Sequence, residues 1–274
     1  VFTMSVFGVS TFCVVTGASR GIGQCIAVKL SSRFGKDSKI VIIARSEEGL
    51  IETKNQIKVV CPTCEVVCVV ADLSDPASTK VACEKIPSLA NDGFYQHAMF
   101  VHNAGSLADV SKKLSDTTDT VEMSHFWHLN VSSAVALNAA FLGYFSGNPK
   151  IRKTVVQISS RASEEPVPGL GLYCSAKAAR LILFKVLAIE EPGIRVISYA
   201  PGPVKTEMWD SLANIHNLDM KSMFQTMAES GVVREPSATV DYLLQILEAD
   251  EFESGSHVKL ADEPVTNDHS QDNE

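Results

Sequence analysis

The sequence contains no long apolar run that is free of charge. A helix that crosses a membrane needs about 18 or more such residues in succession, and the 274 residues contain no stretch of that kind. The first residues, VFTMSVFGVSTF, also lack the positive start and the cleavage site of a secretory signal peptide. We therefore expect a cytoplasmic protein with no membrane partner.

The sequence also lacks an excess of positive charge. Its 24 Lys and Arg are outnumbered by 32 Asp and Glu, for a formal net charge of -8. From Glu248 to the end there are nine acids and one base, Lys259, so the remainder of the chain is balanced. A protein that binds nucleic acid needs a basic face, so we predict no nucleic-acid partner. We interpret residues 264–274 as an acidic, disordered tail.

Cysteines are few and do not form a recognisable framework. There are seven, an odd number, and they are scattered along the chain. Cys61 and Cys64 have the CxxC spacing of metal and redox motifs, with Cys68 nearby, but neither a second CxxC nor an adjacent histidine completes four zinc ligands. We expect reduced thiols and no metal site.

Short apolar runs alternate with amphipathic stretches along the chain. With 45% hydrophobic residues the composition excludes general disorder. Strands are predicted at 12–16, 39–44, 65–71, 98–104, 154–159, 195–200 and in the string HVKLA, and helices at 22–34, from Ser46, at 74–89, 121–145, 173–190 and 237–249. The strands are continuously apolar, which is typical of parallel strands covered on both faces. We predict one α/β domain over residues 1–263, a Rossmann-type doubly wound parallel sheet of about seven strands with helices on both faces.

A glycine-rich turn follows the first predicted strand directly. Its residues are Thr16-Gly17-Ala18-Ser19-Arg20-Gly21-Ile22-Gly23. Gly17 allows a tight turn, Gly21 lets the backbone approach a diphosphate, and Gly23 allows close packing of helix on strand. The N-terminus of the following helix then offers N–H groups and a positive dipole end to phosphate. We predict that Gly17, Ser19, Arg20, Gly21, Ile22 and Gly23 bind a dinucleotide; the alternative is a simple strand–helix turn.

The ends of three further strands complete the predicted cofactor site. The second strand ends Ala44-Arg45-Ser46, without the acid that would bond the ribose hydroxyls of NAD. Arg45, helped by Arg20, can pair with a 2′-phosphate, so we predict NADP(H); the alternative is a solvated arginine. Asp72-Leu73 is placed to bound the adenine, or serves as a helix cap. Asn103-Ala104-Gly105 is placed near the nicotinamide half of the cofactor.

A tyrosine and a lysine four residues apart begin the helix predicted at 173–190. Tyr173 and Lys177 share one face of it. The lysine charge favours the phenolate and lowers the tyrosine pKa, so Tyr173 is able to give a proton to a carbonyl oxygen as hydride reaches the carbon. Ser160, at the end of the fifth strand, is placed to bond the same oxygen. Taken alone, the pair is also compatible with an ordinary exposed helix face.

The strings TGASRGIG, NAG, ISS, YxxxK and PGPVKT, in this order and spacing, resemble the short-chain dehydrogenase/reductase family over about residues 10–260. The resemblance implies that Tyr173 is the general acid/base, that Lys177 also holds the nicotinamide ribose, and that Ser160 orients the carbonyl. It also implies that Asn130 supports a water relay to the lysine. The loop 201–206 resembles the one that contacts the nicotinamide carboxamide, which assigns cofactor contacts to Pro201, Gly202, Val204, Thr206 and Met208.

Four longer strings resemble the branch of this family that reduces side-chain ketones of pterins with NADPH, in tetrahydrobiopterin biosynthesis. They are NAGSLADVSK, YCSAKAARLILFKVLAIEEP, RVISYAPGPVKTEM and DEFESGSHV. The resemblance implies that Tyr173 donates the proton and that the ketone substrate is a pterin. The predicted substrate contacts are Ser160, Tyr173, Gly202, Trp209 and Lys259; Trp209 fits equally well a position on a lid helix without ligand contact.

Lys259 departs from that branch, which carries an aspartate there to anchor the guanidine-like edge of the pterin. Asp262 substitutes for it, or Lys259 points to solvent, or the substrate is a non-pterin ketone, diketone or quinone. Arg161, beside the serine at a position that tends to be apolar in the family, raises the same question.

Two further expectations concern the whole chain. A non-catalytic NADP(H)-sensing protein on this fold commonly loses the tyrosine or the lysine, and retention of both favours an enzyme. The helices at 121–145 and 173–190 have wide apolar faces, and in the family these helices pair across a two-fold axis. We therefore expect a homodimer, or a tetramer built from it.

Overall fold

A parallel sheet of seven strands forms the centre of the molecule. The computed structural model describes residues 6–91 and 93–260; Asp262 and the acidic tail 264–274 lie outside the described residues. The strands are β1 (Thr11–Thr16), β2 (Lys39–Ala44), β3 (Glu65–Val70), β4 (His97–His102), β5 (Arg152–Ile158), β6 (Ile194–Ala200) and β7 (Ser256–Lys259). Their order across the sheet is β3-β2-β1-β4-β5-β6-β7, which confirms the predicted doubly wound architecture.

The order of the strands fixes where a ligand crevice forms. β1 pairs with β2 on one side and with β4 on the other, so the winding of the chain reverses between β1 and β4. In doubly wound sheets the crevice lies at the carboxyl ends of the strands at such a reversal. Every residue of β1, β2 and β4 is buried, because helices cover both faces of the sheet.

Helices form a layer on each face. They are α1 (Gly21–Ser31), α2 (Glu47–Val60), α3 (Pro76–Ala90), α4 (Thr120–Trp127), α5 (Ser133–Phe145), α6 (Gly171–Glu190), α7 (Glu207–Asp210), α8 (Leu218–Glu229) and α9 (Pro236–Ala249). The core on one face is built with residues of α1, α2 and α9. The opposite face is covered by α3, α5 and α6. No helix within residues 6–91 and 93–260 combines the length and apolar character needed to cross a membrane.

Local capping chemistry sets two of the predicted helix starts. Ser46 precedes α2, and its hydroxyl accepts a hydrogen bond from the Gly49 N–H at 3.1 Å. Asp75 precedes α3, and its carboxylate accepts one from the Ser78 N–H at 2.8 Å. Both side chains satisfy N–H groups that the first helical turn leaves without a partner.

The helix predicted at 121–145 is continuous in the structure from Thr120 to Phe145, but a π turn at His128–Ser132 lies between its α-helical parts, α4 and α5. Asn130 lies inside this turn and is 1% exposed. Its side-chain amide donates to the Phe126 carbonyl at 3.0 Å, and its own carbonyl oxygen faces the guanidinium of Arg180 at 3.5 Å. The contact with Arg180 joins residues that lie 50 positions apart, so an apolar periodicity does not reveal it.

Residues 207–229, which we call the lid, form structure that the apolar pattern did not predict. They comprise α7, a short 3₁₀ turn (Ser211–Asn214) and α8. The lid does not pack on the sheet. Its apolar residues, among them Trp209, Leu212 and Phe224, cluster with Tyr173, so it covers the carboxyl ends of the strands.

Candidate active site

The glycine turn between β1 and α1 is packed so closely that side chains have no room. Gly17 has φ +66 and Gly21 φ +58, the left-handed region that favours glycine. A Cβ on Gly23 would lie 2.3 Å from the Gly17 carbonyl oxygen and 2.4 Å from the Asn103 amide nitrogen. Strand and helix therefore approach as the sequence predicted.

The end of β4 is joined to the end of β1 by a set of hydrogen bonds. The Thr16 hydroxyl accepts from the N–H groups of Asn103 and Ala104, each at 3.1 Å. The Asn103 side chain donates to the carbonyls of Thr16 at 3.0 Å and Gly17 at 3.2 Å. Asn103 thus holds the glycine turn in shape, and Thr16 is a supporting residue that the sequence analysis did not single out.

The N-terminus of α1 suits an anionic group. Its first turn contains no acidic residue, and no side chain of the described chain caps it, so its N–H groups and positive dipole end remain available. Arg20 precedes the helix, but its guanidinium pairs with Glu207 of the lid at 2.9 Å, and both side chains are exposed. The structure therefore places Arg20 toward the lid.

Arg45 and Asp72 follow the carboxyl ends of β2 and β3, respectively. Arg45 and Ser46 are exposed at the end of β2, and the Ser46 hydroxyl is engaged in capping α2. Burial raises the pKa of Asp72, but hydrogen bonds from Ser74 and the positive charge of Arg45 outweigh it, so the net pKa is lowered. Asp72 accepts from both the N–H and hydroxyl of Ser74, while Leu73 is buried.

The loop after β6 lies over the glycine turn. Thr206 approaches Gly21 so closely that a Cβ on the glycine would lie 3.4 Å from the threonine methyl. The Thr206 hydroxyl also caps α7 by accepting from the Trp209 N–H at 3.3 Å. Pro201 and Val204 are buried, Gly202 adopts φ +71, and Met208 is exposed. The structure thus brings the predicted loop to the predicted cofactor crevice.

Tyr173, Lys177 and Ser160 lie together at the carboxyl end of β5. Tyr173 and Lys177 are buried, and the lysine ammonium lies 5.4 Å from the centre of the tyrosine ring. It donates to the Ile158 carbonyl at 2.7 Å. Ser160 begins a 3₁₀ turn (Arg161–Ser163), and its hydroxyl accepts from the Ala162 N–H at 3.2 Å.

The electrostatics of this group differ from the expected lysine effect. Burial raises the pKa of Tyr173, and this outweighs the opposing effects of the Ser160 hydroxyl and the charge of Arg180. Burial, reinforced by Arg180, lowers the pKa of Lys177 well below its ordinary value. Burial thus disfavours the charged forms of both Tyr173 and Lys177, while the charge of Arg180 favours the phenolate and opposes the ammonium.

Asn130 connects the π turn to the end of β4. Its side-chain oxygen accepts from the Ser106 N–H at 3.0 Å, and a Cβ on Gly105 would lie 2.8 Å from that oxygen. The structure therefore brings Asn130 against the segment Asn103-Ala104-Gly105. Its carbonyl, rather than its side chain, faces α6.

Trp209 belongs to the lid and also borders the tyrosine. Its ring contacts that of Phe224 on α8 edge-on, with centroids 5.6 Å apart. It also packs against the apolar cluster that includes Tyr173, Leu212 and Ile215. The structure thus places Trp209 on the lid, in the apolar cluster that contains Tyr173.

Lys259 does not point freely into solvent. Its ammonium forms an ion pair with Glu164, a residue that sequence reasoning missed, four positions after Ser160. The same carboxylate accepts from His257 Nδ1 at 2.9 Å. These bonds lower the pKa of Glu164 to about 2, so it stays ionised at neutral pH. Lys259 pairs in register with Ala200, which places the ion pair next to the loop that begins at Pro201.

All seven cysteines lie among the described residues, and none of them is in a disulfide. Burial raises the pKa of Cys64 to about 12, which makes its thiol a poor metal ligand or nucleophile. No group of three His, Cys, Asp or Glu in the described part of the chain is arranged to hold a metal ion.

Comparisons with known proteins agree with the geometry. A family model described as short chain dehydrogenase matches residues 11–216. Sepiapterin reductase of Rattus norvegicus is 37% identical over 252 residues, which cover 91% of this chain and 96% of that protein. The solved structure of the KRED1-Pglu enzyme has a TM-score of 0.75 and 28% identity, covering 91% of this chain and 100% of that one.

The same fold occurs in a cofactor complex. L-sorbose reductase of Gluconobacter frateurii, solved with NADPH and L-sorbose, has a TM-score of 0.78 over 96% of this chain and 99% of that one, at 22% identity. At that identity the likeness concerns the fold.

Proposed function

The chain belongs to the short chain dehydrogenase family, and we propose that it is an NADPH-dependent carbonyl reductase of sepiapterin reductase type. The substrate would be a ketone on the side chain of a pterin, in tetrahydrobiopterin biosynthesis. The observation that supports this most is that Tyr173, Lys177 and Ser160 lie together at the carboxyl end of β5, on the same edge of the parallel sheet as the glycine turn that follows β1. The resemblance to sepiapterin reductase over 91% of the chain supports the choice of substrate.

Each residue of the candidate site would have its own role in ketone reduction. When bound, the cofactor supplies the hydride that adds to the carbonyl carbon. Tyr173 donates its phenolic proton to the carbonyl oxygen, and the Ser160 hydroxyl donates a hydrogen bond that orients that oxygen. The lid excludes water from the phenol, since Tyr173 is only 9% exposed, so proton transfer is directed to the substrate.

The crevice fits a dinucleotide with a phosphorylated ribose. The N-terminus of α1 would hold the diphosphate. Arg45 would pair with the 2′-phosphate, and Asp72 with Leu73 would bound the adenine. The segment 103–105 and the loop 201–206 would hold the nicotinamide half. Arg20 would reach a phosphate after leaving Glu207, its partner in this structure.

The Glu164–Lys259 ion pair bears on the substrate. A bare ammonium at this position would repel a protonated pterin, but Glu164 neutralises it and adds a carboxylate on the Ser160 side of the cleft. This arrangement favours the pterin. Exposed Arg161 beside Ser160 favours the alternative, a non-pterin ketone, diketone or quinone.

A turnover screen tests the proposal. Purified protein is supplied with NADPH or NADH and with sepiapterin, diketones, quinones and unrelated ketones. We expect the highest kcat/KM with sepiapterin and NADPH. A higher value with another ketone establishes the alternative substrate class, and no oxidation of NADPH with any of them refutes the enzyme assignment.

Tyr173→Phe is the matching active-site variant. It removes the proton donor and keeps the ring, so kcat should fall by about 10²–10⁴-fold while NADPH binding stays near wild type. Tyr242→Phe, on the exposed side of α9, is the control and should leave kcat unchanged. Wild-type turnover by Tyr173→Phe contradicts the assigned role.

A further inference from the structure

A buried arginine shares a helix face with the candidate catalytic pair. Arg180 follows Tyr173 by seven residues and Lys177 by three on α6, so the three side chains leave the helix on one side. Arg180 is 1% exposed and is among the largest buried side chains. A charged group in such a position is costly unless polar partners compensate for lost water.

All the hydrogen-bond partners of Arg180 within the described chain are uncharged oxygen atoms. One terminal nitrogen donates to the His102 carbonyl at 2.9 Å. The other donates to the carbonyls of Ala104 at 3.0 Å and Asn130 at 3.5 Å. Nε donates to the side-chain oxygen of Gln157 at 3.4 Å. One guanidinium thus joins α6 to the end of β4, the π turn and β5.

Each joined element carries part of the candidate site. The end of β4 continues into Asn103-Ala104-Gly105, the π turn contains Asn130, and β5 leads to Ser160. The planar fork of arginine suits such a junction, because its donors have fixed directions. The ammonium of a lysine lacks that fork.

We propose that Arg180 is a positioning residue for the reduction, which clamps the 103–105 segment and the Asn130 turn against α6. The clamp should be needed for NADPH binding. The prediction for the kinetic constants rests on the proposed function; the NADPH titration does not.

The clamp is tested by NADPH affinity, measured as the change in NADPH fluorescence on titration with protein. Arg180→Met removes donors and charge, whereas Arg180→Lys keeps the charge without the fork. Both variants should bind NADPH severalfold more weakly than wild type. Wild-type affinity in both, or in Arg180→Lys alone if Arg180→Met does not fold, overturns the clamp.

The effect of the clamp on the reduction is tested by kcat and by the KM for NADPH. Because the clamp holds segments of the candidate cofactor site, Arg180→Lys should raise the KM for NADPH severalfold and change kcat less. An unchanged KM for NADPH in Arg180→Lys overturns the positioning role.

Arg195→Met is the matched control. Arg195 is a partly buried arginine near the start of β6, at the edge of the sheet opposite to the carboxyl ends of the strands. Its guanidinium donates hydrogen bonds to the Asp250 carboxylate at 3.0 Å and to the Phe252 carbonyl. Its loss should lower Tm without changing the affinity or the KM for NADPH. If wild-type protein reduces no ketone, the proposed function fails, and the NADPH titration still decides on the clamp.

Discussion

At the scale of single residues, the effect of a charged side chain in this molecule depends on the group with which it pairs. Lys259 taken alone is a cation where the related branch has an acid, and the structure gives it a carboxylate from a loop 95 residues earlier in the chain. Glu164 has a second partner in His257, whose side chain is 4% exposed. The pair therefore fastens the loop after Ser160 to β7.

The Glu164 contacts predict a pH dependence of stability. Its pKa falls from an ordinary 4.5 to about 2, so its contribution to the free energy of unfolding is complete above about 4.5 and is lost as pH falls toward about 2. Glu164→Gln should lower Tm at neutral pH, and its difference from wild type should shrink across that range. Thermal unfolding at several pH values measures this.

Glu165→Gln controls for the loss of one surface charge on the same loop, since Glu165 is also exposed. It should follow wild type at every pH. A Glu164→Gln deficit that is independent of pH would show that the carboxylate does not stabilise the fold through its charge.

At the scale of elements, β1 and α1 require the glycine turn to be free of side chains. Gly23→Ala would place a methyl carbon 2.3 Å from the Gly17 carbonyl oxygen. We expect a loss of about 1–3 kcal/mol in the free energy of unfolding from overpacking, together with weaker NADPH binding. Urea unfolding and an NADPH titration provide the measurements.

Gly143→Ala provides the control within α5. A Cβ there meets nothing within 4 Å, so alanine should stabilise the helix by about 0.5–1 kcal/mol. A Gly23→Ala protein that is as stable as wild type would mean that α1 can move away from β1.

The sequence predicted the features that depend on local contacts better than those that depend on contacts between distant residues. The start of α2 at Ser46 was predictable because a cap acts over three residues. Strands β1, β2 and β4 were predictable because burial on both faces leaves an apolar run. The π turn around Asn130, the lid, and the contacts of Arg180 and Glu164 join residues distant in sequence. The apolar periodicity of the sequence gives no signal for such contacts. The position of Arg180 on the Tyr173 face of α6, a charge on a buried helix face, was the available signal.

At the scale of the whole molecule, one face of α6 remains apolar and uncovered. Ile182 is 60% and Ile189 79% exposed, Leu183 and Val186 are also exposed, and Val135 of α5 is 46% exposed. Contiguous exposed apolar surface of this kind is typical of protein interfaces. It supports the prediction of a homodimer formed by α5 and α6.

The dimer is tested by sedimentation at micromolar concentration. Wild type should sediment as a dimer or tetramer, and Ile182→Glu combined with Val186→Glu should shift it to monomer, because burying two carboxylates at an interface is unfavourable. Val59→Glu, on the exposed side of α2, should leave the assembly intact. Wild type sedimenting as a monomer would contradict the prediction.

The parallel order of the strands also affects how the chain folds. β1 meets β4 across 86 residues in register, Thr11 against His97, and Tyr173 is synthesised later still. Folding dominated by such non-local pairing is slow. A nascent chain on the ribosome that ends before α6 exposes apolar strands and does not yet contain Tyr173. We therefore expect the yield of folded protein to depend on chaperones and on growth temperature.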